Sequence, residues 1–127
     1  MFSTIAAIAV GGATGALARH GVNVSSAHLW GTNFPWGTVI VNVVGSFIMG
    51  ALIVKFAHMD GASQATRVFF TTGFLGEFTT FSTFSLDFAT IWERGDTGIA
   101  MAYMLSSVIL SVLALFAGLW VMRGLVA

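Results

Sequence analysis

The sequence predicts an all-α integral membrane protein, a single domain over residues 1–127 with four transmembrane helices, the third of them broken. Three observations carry this. Of the 127 residues, 57% are hydrophobic and 8% charged, whereas a soluble domain carries about 25% charged residues, so most of the surface must face something apolar. The few charges leave between them runs of about 20 mostly apolar residues, the length that crosses a bilayer. The connections between those runs are too short to hold a soluble domain.

The first span is expected over residues 1–20, an uncharged run from Met1 to Ala18 closed by Arg19 and His20. It is short and ends in small residues, as a signal peptide does, but it lacks the basic leading segment such a peptide uses and is expected to stay. The second, over 36–56, ends at Lys55. The third, over 67–92, is the weakest by hydropathy because it contains Glu77, Asp87 and a dense Phe/Thr/Ser stretch. The fourth, over 98–123, is strongly apolar from Ile99 to Met122. Gly21–Pro35, His58–Thr66 and Glu93–Gly98 read as connections.

Five Lys/Arg balance five Asp/Glu, so no basic stripe for nucleic acid and no acidic tail exists. The chain has no cysteine and three scattered histidines, which excludes disulfides, thiolate metal sites and a zinc motif. Lys/Arg near the span ends set membrane orientation. Lys55, Arg67 and Arg123 fall on one face, Arg19 and Arg94 on the other. So small a bias permits insertion both ways, which an antiparallel homodimer would use. Four helices alone also have little room to enclose a hydrated path, which favours assembly.

Polar atoms in a bilayer must be paired or face a protein-lined cavity. In the second span Thr38, Asn42, Ser46 and Gly50 recur every four residues along one helical face. In the fourth, Tyr103, Ser107 and Ser111 do the same. Small and hydroxylated residues also serve close helix packing, so each stripe alone reads either way; two together favour a shared polar track of neutral donors. Gly11 and Gly15 in the first span read as a packing face. Arg19 either snorkels to the headgroups or sits in a water-filled mouth and draws anions inward.

The third span contains G-F-L-G-E-F-T-T-F-S-T-F from Gly73 to Phe84. Its glycines weaken a helix, and its Thr and Ser side chains compete for backbone bonds, so a break is expected between Gly76 and Ser82. Freed carbonyls there can hold a small cation, and amides can meet an anion. Phe81 and Phe84 share a face. Core packing is the ordinary role of such rings, but their positive edges can also replace part of an anion's hydration shell.

Together with G-G-A-T-G-A-L-A-R-H (Gly11–His20) and G-T-V-I-V-N-V-V-G-S-F-I-M-G (Gly37–Gly50), this block makes nearly the whole chain resemble the Fluc (CrcB) family of small fluoride channels. The resemblance implies four-helix subunits paired as antiparallel homodimers in the bacterial cytoplasmic membrane, with two anion pores and a central structural sodium ion. By motif, Phe81 and Phe84 match the pore phenylalanines and Asn42 the polar residue beside them. Tyr103, Ser107 and Ser111 match the hydroxyl track, and Arg19 a vestibule arginine. Gly76 and Thr79 match the positions whose carbonyls bind sodium. The chain departs from the pattern at Glu77, where a small residue is usual, at Asp87, where glutamate is usual, and at His20, where tyrosine is common.

The expected function is therefore passive fluoride export, with no catalysis and no organic cofactor. Two alternatives compete. A proton-coupled exporter like the small multidrug resistance proteins needs an embedded acid, and only Glu77 and Asp87 qualify, neither in the first span. A non-transport assembly subunit would pack through the glycine faces.

Overall fold

Helices account for nearly all of the chain. In the computed structural model, which describes residues 2–127, α1 spans Phe2–Trp30 and α2 spans Trp36–Ala57. The third segment is assembled from pieces: α3 (Gln64–Val68), a π-helical stretch (Phe69–Leu75), α4 (Gly76–Phe78) and, after a break, α5 (Ser82–Glu93). Helix α6 (Thr97–Val126) closes the order. Three helices, α1, α2 and α6, are long and apolar enough to cross a membrane; the third segment is divided into pieces too short for that. In α6 only 17% of the most apolar window is buried, and Leu105, Ile109, Leu113, Phe116 and Trp120 all point outward. Such a surface is unfavourable in water and is ordinary against lipid.

Helix α1 does not stop where its apolar run stops. The residues after Arg19 contain no proline, and the helix continues to Trp30, ending where Gly31 takes φ +79 and donates its N–H to the Ala27 carbonyl at 2.9 Å. Glycine is the residue that adopts this left-handed conformation without a steric penalty. The segment expected as a connection, Gly21–Pro35, is thus helical through Trp30, and the loop is only Gly31–Pro35. Pro35, with φ −80, then stands immediately before α2, where its missing N–H does no harm.

The carbonyls at the end of α2 and just beyond it are met by N–H groups of the following turn, from His58 to Lys55 and from Met59 to Phe56, and by side chains. Arg67 donates to the carbonyls of Phe56 (2.7 Å) and Met59 (2.8 Å), and His58 Nδ1 lies 2.9 Å from the Val54 carbonyl. At the opposite end Arg94 donates to the Asn33 carbonyl (2.6 Å) and to Asp96 Oδ2 (2.7 Å), joining the α1–α2 loop to the α5–α6 turn.

Glycine contacts set the helix spacing. A Cβ on Gly50 would strike the Leu115 carbonyl, and one on Gly118 the Phe47 carbonyl, so α2 and α6 touch backbone to backbone. Gly11 and Gly15 of α1 likewise lie on the carbonyls of Phe69 and Phe74, the packing face expected from their spacing. Those two carbonyls belong to the π-helical stretch and its wider turn, a feature that composition and spacing do not announce. Two small buried clusters result: Val41, Leu75 and Phe78 on one side, and Phe84, Ile91, Ala100 and Tyr103 on the other.

Candidate functional site: a polar groove at the broken helix

The break falls inside the expected interval but later than its glycine. Gly76 stays helical (φ −60, ψ −34), and the chain first becomes extended at Thr79 (φ −86, ψ 158). Thr79 turns its hydroxyl back onto the Leu75 carbonyl at 2.8 Å. The next residue is held from outside the segment: Asn42 Oδ1 accepts from the Thr80 N–H (2.8 Å), and Asn42 Nδ2 donates to the Thr80 carbonyl (3.0 Å). Thr80 Oγ1 in turn accepts from the Thr83 N–H at 3.2 Å, covering one of the free amides at the start of α5.

Beside the break lies a groove of about 310 Å³ whose lining includes Asn42, Ser46, Phe81, Phe84, Ser107 and Ser111. Five residues expected at an ion path from sequence, Asn42, Phe81, Phe84, Ser107 and Ser111, are therefore brought together. The Ser107 and Ser111 hydroxyl oxygens are buried and have no hydrogen-bond partner among the described residues. A buried polar group of this kind is normally satisfied, so these two, on successive turns of α6, leave hydroxyl donors free at the groove. The rings of Phe81 and Phe84 stand 5.7 Å apart at 50°. Phe84 is 8% exposed and packs against Tyr103, whereas Phe81 is 77% exposed and leaves the groove open on that side.

Tyr103 is set apart from the groove lining. Its hydroxyl donates to Asp87 Oδ2 at 3.1 Å, and Thr38 Oγ1 donates to the same oxygen at 2.7 Å. Thr38, Thr83 and Asp87 help to line a second polar pocket of about 210 Å³. The stripe on α2 therefore divides by depth: Thr38 serves this pocket, Asn42 and Ser46 the groove, and Gly50 the contact with α6. Asp87, unassigned from the sequence, is a member of the polar constellation. Its partners lie 49 and 16 residues away in the chain, and only a fold could join them.

Arg19 does not sit at a helix end, because α1 continues past it. Its Nε donates to the Glu77 carbonyl at 2.8 Å, and its guanidinium lies 3.9 Å from Glu77 Oε2. The break's carbonyls at Leu75, Glu77 and Thr80 are thus occupied, while those of Gly76 and Thr79 accept no hydrogen bond among the described residues. Carbonyl oxygens of this kind are the donors a small hard cation takes.

Residues 6–119 match the family described as CrcB-like protein, Camphor Resistance (CrcB). The chain belongs to the CrcB family. It is similar to a CrcB relative from Cereibacter sphaeroides, 53% identical over 127 residues and covering all of both chains, and to one from Mesorhizobium japonicum, 52% identical over 118 residues, covering 93% of this chain and 94% of the relative. A third, from Agrobacterium fabrum, is 50% identical over 121 residues, or 95% of this chain and 97% of that one. Each of the three carries the name fluoride-specific ion channel FluC. The two acids left without a role by the sequence now have partners: Glu77 meets Arg19, and Asp87 holds Thr38 and Tyr103.

Proposed function

We propose that this chain is a fluoride-selective channel through which the ion leaves a bacterial cell passively across the cytoplasmic membrane, lowering its toxicity. The observation that carries the reading is the pair of buried, unpartnered hydroxyls of Ser107 and Ser111 facing Phe81 and Phe84 across one groove. Fluoride is small and strongly hydrated, so a path for it must replace water's donors. Each serine offers one O–H, and Asn42 retains the second of its two N–H groups after bonding Thr80. The edges of the phenylalanine rings are weakly positive. No Lys or Arg lines the groove, and weak neutral sites let an ion leave as readily as it enters. The names of the relatives point to the same ion.

The working unit in this reading is an antiparallel homodimer of four-pass subunits. The groove's open side at Phe81 supports it, as does the near-even split of Lys/Arg over the two faces. A sodium ion suits the carbonyls of Gly76 and Thr79, which accept no hydrogen bond among the described residues and would be doubled by the second copy, and bound there it would supply a fixed structural charge holding the two breaks together. The residues of the chain do the rest: Asn42 fixes the backbone at Thr80, and Tyr103 and Thr38 hold Asp87 at the second pocket.

The test is efflux from liposomes containing the full-length protein, read with fluoride and chloride electrodes, with and without a proton gradient. Fluoride release that leaves chloride behind and ignores the gradient is expected. Release driven by the gradient would replace the channel with an exporter, and no release of either ion would leave the assembly role.

A further inference from the structure

Among the described residues, Arg19 and Glu77 are the one cation and acid that meet beside the break. Arg19 is 24% exposed and Glu77 57% exposed in their side chains. The two are joined twice, by the 2.8 Å bond from Arg19 Nε to the Glu77 carbonyl and by the 3.9 Å approach of the two charged ends. These contacts differ in kind. The bond to the main-chain carbonyl fixes the position of Arg19 and would survive any replacement of the Glu77 side chain that keeps the helix. The carboxylate's approach is too long for a hydrogen bond and acts through charge alone. Neither side chain lines the groove, but Glu77 lies in α4, two residues before extended Thr79, which does, so the net charge of the pair acts on the groove from the side of the break.

We propose that Glu77 is a charge-compensating residue that offsets Arg19 and so limits how strongly this chain concentrates small anions at the break. A lone Arg19 would raise the local anion concentration and the rate of entry. With Glu77 beside it the pair is nearly neutral, so entry depends little on ionic strength. The proposal rests on the channel reading for its effect on flux, but the local charge can be read separately.

Fluoride efflux from liposomes is compared for the unaltered protein, Glu77→Gln, Arg19→Gln and the double variant. The measurement is made at about 10 mM salt, where the screening length is about 30 Å, and at about 1 M, where it is about 3 Å. Glu77→Gln is expected to speed efflux severalfold at low salt, with the gain lost at high salt and in the Arg19→Gln background. Unchanged or slower efflux at low salt, or a gain that survives without Arg19, overturns the proposal. For a readout that needs no flux, His20→Cys gives a chain with no cysteine of its own a single thiol next to Arg19. The ratio of its reaction rates with an anionic and a cationic methanethiosulfonate should rise when Glu77→Gln is added. An unchanged ratio overturns the role of Glu77 whether or not fluoride moves, whereas absent efflux with a raised ratio removes only the channel reading.

Discussion

Asn42 uses both ends of its amide on a single residue, accepting from the Thr80 N–H and donating to the Thr80 carbonyl. The side chain reproduces for Thr80 the two backbone bonds that the interrupted helix no longer supplies. Asn42→Ala should therefore destabilise the folded protein by about 1–3 kcal/mol, since a partly buried N–H loses its acceptor. Asn42→Asp keeps that acceptor but turns an oxygen toward the Thr80 carbonyl, and should be worse. Thermal unfolding in detergent measures both; an Asn42→Ala protein as stable as the original would mean that the break is held by other contacts.

Phe81→Ile and Phe84→Ile should each slow fluoride efflux by about tenfold or more, equivalent to ~1.4 kcal/mol on the barrier for each factor of ten. The two should differ in stability. Phe84 is buried against Tyr103 and Phe81 is exposed, so only Phe84→Ile should lower the unfolding temperature of the subunit. Normal efflux in a well-folded Phe81→Ile variant removes that ring from the path.

Where α2 and α6 touch, Gly50→Ala and Gly118→Ala place a methyl group against the Leu115 and Phe47 carbonyls. Neither backbone can yield without parting the helices, so a loss of about 1–3 kcal/mol is expected for each. Gly124→Ala serves as the control, because a Cβ there meets nothing within 4 Å, and a better helix former should leave stability equal or slightly higher. Heating followed by a count of the protein remaining folded ranks the three.

Tyr103→Phe keeps the ring contacts with Phe34 and Phe84 and deletes one donor to Asp87. Thr38 still serves the same oxygen, so the loss should be modest, about 1 kcal/mol. Adding Thr38→Val removes the second donor, and the pair should lose more than the sum of the single variants because both act on one oxygen. Additive unfolding temperatures would show that the two hydroxyls act independently.

How much of this is legible in the sequence varies with the range of the interaction. Helices α2 and α6 announce themselves because hydropathy over twenty residues is local. The break is foreseeable from Gly73, Gly76 and the Thr/Ser run, yet it begins at Thr79, because Asn42 on another helix fixes Thr80. The end of α1 is misplaced for a related reason: Arg19 ends the apolar run, but a charge does not end a helix, and Gly31 does. The π-helical turn has no signature in composition, since it follows from fitting Phe69 and Phe74 over the glycines of α1. The groove residues stand out by spacing along α2 and α6. Asp87 and Glu77 do not, because what defines them is a partner far away in sequence.

Arg94 ties the α1–α2 loop to the α5–α6 turn at one end of the molecule, and Arg67 closes the α2–α3 loop at the other. The first helix therefore begins, and the last finishes, at the Arg67 end. A reporter fused to either terminus of one copy should label the same compartment, so two colours on a single chain would always coincide. If copies insert in both directions, each colour alone would appear on both sides of the membrane in equal amounts.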